Sequence, residues 1–200
     1  MMKSVTASLT KLMACSAFVC VSTQLTAGLQ GRIDVHPVGK KEIALQLEKK
    51  NKGGWLSHIG WGKLENRKYS LTFNISKVTP KWQNVEFSFI PGKSGKVSLF
   101  LLSNQVKGEN RWVEYDNLKV TGAKVVNPDF EKLDKSGKKA EGWSSRGKGY
   151  IIITDAKGNH CVKVFHNQPA IQTIEVTAGK KVTVSCMIKL PELEKKKLNH

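Results

Sequence analysis

Beyond residue 27 the chain alternates. Across residues 69–76, Tyr69, Leu71, Phe73 and Ile75 fall on one side, and Ser70, Thr72, Asn74 and Ser76 fall on the other. A hydrophobic period of two predicts a strand with one buried face. Residues 82–90 repeat the pattern: Val85, Phe87 and Phe89 share the buried side, and Trp82, Asn84, Glu86 and Ser88 share the other. Pro91-Gly92 ends that strand, and Gly95 precedes a further apolar run over 97–102. Strands are also predicted over 42–47, 111–120, 150–154, 160–165, 171–176 and 182–188. The segments between them carry the Gly, Asn, Lys and Pro of tight turns. No stretch carries a helical stripe. Many short strands with turn signals predict an all-β antiparallel sandwich or barrel.

The first 27 residues have a different character. Lys3 and Lys11 precede a short uncharged apolar run from Leu12 to Val21, and Ala27 closes a Ser/Thr/Ala-rich stretch. This reads as a secretory signal, since a membrane span needs about 20 apolar residues. Cys15 and Cys20 would be lost with it, leaving Cys161 and Cys186 as two cysteines in predicted strands. Export permits a disulfide between them if their side chains face each other. Two small buried thiols are an equal alternative. The expected location is secreted, periplasmic or cell-surface. The net charge of +17, two of it in the leader, favours anionic partners. The lysines are scattered over turns and tail (Lys49, Lys50, Lys52, Lys138, Lys139, Lys180, Lys181 and Lys195–Lys197), which suits a solvated surface better than one groove for a nucleic acid.

A partial repeat joins the two halves. Residues 41–77 and 160–189 share the order of an apolar strand, a Trp- or Gln-bearing strand, a basic turn and a strand ending with Ile and Lys. The second half opens with Asn127, Phe130 and Glu131, followed by Gly142-Trp143, a strand at 161–165, a Gln-bearing strand at 170–176 and the Gly179-Lys180 turn. The first half closes with Trp112, Asp116, Asn117 and Leu118. In these features residues 32–190 resemble the carbohydrate-binding modules of the family 4, 9 and 22 type that accompany bacterial cellulases and xylanases. The resemblance implies a galactose-binding-like jelly roll, in which the Asn-x-x-Phe-Glu segment is a strand. It implies a glycan or polysaccharide ligand, and a host enzyme or cell-surface partner. The opening half of the pattern occurs twice and the closing half once. The expected organisation is therefore a leader (1–27), one module (28–124) and a second, truncated module of the same type (125–200). The alternative is one permuted sandwich.

Sugar rings stack on aromatic side chains and are held at their hydroxyls by amides, carboxylates and guanidinium groups in mostly apolar sites. Trp82, Asn84 and Glu86 offer that set on one strand face, and Trp55 and Trp61 flank a Gly-rich turn whose loops could line a cleft. Trp112 and Trp143 suit the core or its rim. The resemblance also implies a structural calcium, for which Asp116 with Asn117 and Asp129 with Glu131 are the candidate oxygen ligands. No nucleophile motif, P-loop or metalloprotease motif is present. The five histidines (His36, His58, His160, His166 and His200) stand at no metal-ligand spacing and read as surface residues. The expected protein is a non-catalytic polysaccharide binder without a membrane span. The alternatives are a basic adhesion or scaffold protein binding polyanions and, third, a small glycosidase using Glu86 and Glu114. N-terminal sequencing of exported material should give a first residue near Gly28; recovery only of the intact Met1 form would remove the leader.

Overall fold

The computed structural model describes residues 29–38, 43–58 and 70–191. The leader, Trp61 and the charged tail at 192–197 lie outside the described residues. Within them the chain is all β: β1 (Leu29–Pro37), β2 (Leu45–Leu47), β3 (Gly54–His58), β4 (Leu71–Ser76), β5 (Gln83–Pro91), β6 (Gly95–Ser103), β7 (Val113–Thr121), β8 (Ser144–Ser145), β9 (Ile151–Thr154), β10 (His160–Val164), β11 (Ala170–Val176) and β12 (Val182–Lys189). They form two six-stranded sheets, in the orders β3-β4-β1-β6-β11-β8 and β2-β5-β12-β7-β10-β9. Every pairing is antiparallel.

The alternation decides what lies between the sheets. Val85, Phe87 and Phe89 are buried, while Trp82, Asn84 and Glu86 face solvent. Phe73 of β4 stacks on Phe87 of β5 at 4.8 Å between ring centroids, tying the first sheet to the second. Such a pair contributes about 0.5–1.5 kcal/mol beyond its area burial. Opposite Val85 and Phe87 on β12 stand Cys186 and Val184, which are also buried.

Strands of the two halves interleave. β11 pairs with β6 in the first sheet, and β12 lies between β5 and β7 in the second. One core runs through both halves. The expected division at 124/125 therefore separates two stretches of chain that share one sandwich, instead of two modules in tandem. The physical reason is the half-complement of strands: either stretch alone would leave apolar faces and open edges in water.

Two further expectations change. The segment 127–131 is a turn and not a strand, with Asn127 and Phe130 buried and Asp129 and Glu131 exposed. Asn127 and Phe130 both adopt positive φ there, and the Asn127 side chain bonds the backbone of Lys132 and Glu141. Trp143 packs on Phe130 at 4.8 Å and donates its indole N–H to the Asn127 carbonyl at 3.0 Å, so it is a core residue. The Gly-rich stretch before Trp55 does not make a loop at that residue. Gly54 begins β3, because a Cβ there would collide with the Asn74 carbonyl of the neighbouring strand.

Tyr115 of β7 reaches across the core. Its hydroxyl donates to the Leu102 carbonyl at 2.9 Å and accepts the Arg32 N–H at 3.0 Å, bridging β6 and β1. Burial, with smaller contributions from Cys186 and Asp34, pushes the phenol's pKa well up, so it stays protonated and able to donate. Tyr115→Phe removes this bridge and should lower stability by about 1–2 kcal/mol. The check is the midpoint of urea unfolding; an unchanged midpoint would mean that the hydroxyl holds nothing.

Candidate functional site

The outer face of the first sheet is built in rows by its register. Trp55 (β3), Asn74 (β4), Arg32 (β1) and Leu102 (β6) stand opposite one another in one row. Ser57, Thr72, Asp34, Phe100, Ile171 and Ser144 make the next, across six strands. His36, Ser98 and Thr173 make a third. Within β1, Ile33 and Val35 go to the core, so the pleat sends Arg32, Asp34 and His36 outward together.

Those three residues line a groove of about 500 Å3 with Phe100, Leu102, Arg146, His166 and Asn167. Asp34 is its anchor. Both carboxylate oxygens are engaged by Arg32, Nε to Oδ1 and Nη2 to Oδ2, each at 2.7 Å. Thr72 donates its hydroxyl to Oδ1 at 2.8 Å, and the His36 Nε2 stands 3.8 Å from Oδ2. His36 also meets Ser70 Oγ through Nδ1 at 3.2 Å and lies edge-on to the Phe100 ring at 4.8 Å. The Arg146 guanidinium covers the same ring at 4.8 Å.

Only 4% of Asp34 is exposed, and that burial pushes its carboxyl pKa up. His36, Arg32 and Thr72 outweigh the burial and hold it below the usual carboxylate range. His166 is shifted the opposite way from a free imidazole that gains an acid. Burial and the Arg32 and Arg146 charges lower its pKa, against a smaller pull from Asp34, which favours the neutral ring at pH 7.

The residues expected to bind sugar divide between the two sheets. Trp55 is 44% exposed and belongs to the face just described. Trp82, 36% exposed, sits with Asn84 and Glu86 on the outer face of the second sheet. The Lys189 ammonium stands over the Trp82 ring at 4.6 Å and pairs with Glu114 at 3.0 Å. Trp112 lies on that same face, covered by Lys163 at 5.2 Å and by Phe165 at 4.6 Å. Glu86 and Glu114 are not brought together. They face Ser185 and Lys189, four residues apart on the strand between them, so their Cα atoms are separated by roughly 16 Å at ordinary strand spacings.

The four oxygen-bearing residues suggested for calcium are neighbours that satisfy other groups. Asp116 accepts the Asn117 N–H at 2.6 Å and the Asn159 amide at 3.2 Å. Burial and the nearby Glu131 and Asp129 charges hold its carboxyl above the usual range. Glu131 accepts the His160 N–H at 2.8 Å and faces its Nδ1 at 3.0 Å, while Asp129 stands 3.5 Å from the Glu131 N–H. Among the described residues no group of three or more His, Cys, Asp or Glu side chains is arranged to hold a metal ion. Cys161 and Cys186 are both free and buried, and they lie on opposite faces of the second sheet, with β7 between their strands. Burial, aided by Glu114 and Asp116, pushes the Cys161 thiol up to about 12.

Of the groove residues, only His36 and His166 drew attention in sequence, as surface histidines. The signal that would have found the rest is the Arg32-Ile33-Asp34-Val35-His36 alternation itself. Because Asp34 is depressed in the fold, its contribution to stability is present above the unfolded carboxyl value of about 3.9 and is lost as pH falls below it. The melting temperature should fall through that acid window, and less so in Asp34→Asn; exposed Asp134 and Asp155, lowered by their own turns, keep part of the slope. Identical pH profiles for the two proteins would remove Asp34 from the account. Comparison with protein-family models, with curated proteins and with solved structures found no match.

Proposed function

We propose that the protein is an exported, non-catalytic carbohydrate-binding protein that takes a polysaccharide on the outer face of its first sheet. The observation that carries this reading is the groove of Arg32, Asp34, His36 and Phe100 lying on one continuous polar face with exposed Trp55. The exposed Trp55 ring suits the apolar side of a pyranose. Fixed carboxylate, guanidinium, imidazole and amide groups suit its hydroxyls. The pairing of Arg32 with Asp34 and Thr72 holds those polar groups in place before a ligand arrives, which lowers the ordering cost of binding. In chain order the strands pass repeatedly from one sheet to the other, and this supports the jelly-roll form of sandwich. The resemblance in Asn127, Phe130, Glu131 and Trp143 supports the same assignment. The second sheet's Trp82 is the other candidate, on its exposure beside Asn84 and Glu86.

Affinity electrophoresis in soluble polysaccharides, with Trp55→Ala, Phe100→Ala and Trp82→Ala side by side, separates the faces. Trp55→Ala should weaken binding about fivefold to tenfold, the loss of an aromatic contact of about 1–1.5 kcal/mol, and Phe100→Ala, which removes the ring beneath Arg146, should weaken it as well. Trp82→Ala should bind like the parent. Exposed Trp55 should cost within about 0.5 kcal/mol of stability when replaced. Loss confined to Trp82→Ala would move the site to the second sheet, and no retardation by any polysaccharide would remove the reading.

A further inference from the structure

The groove carries one guanidinium too many for its own carboxylate. Asp34 is engaged on both oxygens by Arg32. Arg146 forms no ion pair among the described residues. It is exposed, and its guanidinium carbon lies over the Phe100 ring at 4.8 Å from the centroid. A stacked guanidinium keeps its N–H donors at the rim, where they match the two oxygens of a carboxylate or sulfate.

The backbone is arranged to bring this group to the groove. Arg146 lies in the turn after β8, and His166-Asn167 lies in the turn between β10 and β11, twenty residues on. Gly147 adopts φ +63°, and a Cβ at that position would come within 2.9 Å of the Asn167 carbonyl. Glycine thus permits both the backbone conformation and the contact of the two turns. The Ser145 hydroxyl adds a bond to the Pro169 carbonyl at 2.6 Å.

A second observation sits at the same place. His166 Nδ1 is buried and makes no hydrogen bond among the described residues. A buried polar atom left without a partner is uncommon and costly. Here it belongs to a residue lining the same groove as Arg32 and Arg146. The local charge is positive, and the whole chain at +17 would draw an acidic polymer toward it.

We propose that the groove takes an acidic saccharide, seating its carboxylate or sulfate on Arg146 with His166 and Asn167 alongside. The proposal rests on the glycan-binding reading and names the class of its ligand. Neutral hydroxyls would face Asp34, Arg32 and His36, and Trp55 would carry an adjoining ring.

Calorimetric titration of the full chain with matched saccharides tests it. One pair is oligogalacturonate and its carboxyl-reduced counterpart; the other is a sulfated galactan oligosaccharide and its desulfated form. The acidic member of at least one pair should bind roughly tenfold tighter or more, the size of one charge-assisted hydrogen bond. Its affinity should fall as sodium chloride rises from about 0.05 to about 0.5 M. Arg146→Gln should bring it down to that of the neutral member. Preference within one pair identifies the anion as carboxylate or sulfate. Equal binding within both pairs would overturn the acidic specificity and leave the glycan-binding reading standing. A preference that survives Arg146→Gln would overturn the assignment to Arg146. No binding in any of the four titrations would overturn both.

Discussion

The alternation of β1 is the constraint on which the groove depends. Ile33 and Val35 must enter the core between β4 and β6, and once they do, Arg32, Asp34 and His36 have no direction but outward. A slip of one residue would put two or three ionisable groups between the sheets. That error is expensive enough to fix the register by itself, because an unpaired charge in the core costs several kcal/mol. The same slip would carry Tyr115's backbone partner at Arg32 out of reach. The core side of β1 therefore determines the chemistry of its outer side.

Asp34 illustrates how a nearly buried carboxylate is kept ionised on such a face. Desolvation opposes the charge, but a bidentate guanidinium, a hydroxyl donor and a nearby imidazole all favour it. The bidentate geometry sets the Arg32 charge directly against the Asp34 carboxylate, so this arginine orients the groove more than it attracts anions. Arg146, without such a partner among the described residues, retains its field. Two arginines in one groove thus do different work, and the difference lies in their neighbours.

Much of the architecture was legible and most of the groove was not. The long alternations at 69–76 and 82–90 identified β4 and β5 because Phe73, Phe87 and Phe89 recur at period two. β1 has only Ile33 and Val35 between charged residues, with Gly31 and Pro37 close by, so its apolar signal is too short to stand out. Phe100 lies within Val97–Leu102, an almost continuous apolar run, and nothing in such a run says which residues face out. In the fold, Val97, Leu99 and Leu101 are buried and Phe100 is on the other side. Arg146 and His166 meet only because two distant turns touch, which no local pattern encodes. Trp55 stands out in sequence as an aromatic beside a Gly-rich turn, because its strand is short, begins at Gly54 and follows Gly53. The shared sandwich was misjudged for a related reason: two similar halves read as two modules when each supplies strands to both sheets.

The two outer faces also explain why aromatic exposure alone is a poor guide to a site. On the second sheet Trp82, Lys189, Glu114, Lys163 and Trp112 form a ladder in which each ring is met by an ammonium and the carboxylate between is paired with Lys189. Its interactions are largely satisfied within the protein, and a ligand there would have to displace a cation from a ring it already holds. On the first sheet Trp55 is more exposed than Trp82, His166 keeps a buried nitrogen without a partner, and Arg146 keeps its charge. Cation–π contacts of about 0.5–1 kcal/mol are small, but they decide which face of an indole remains for a sugar. The first sheet thus keeps an exposed indole and, among the described residues, a guanidinium without an ion pair, while the rings of the second are already met by ammonium groups.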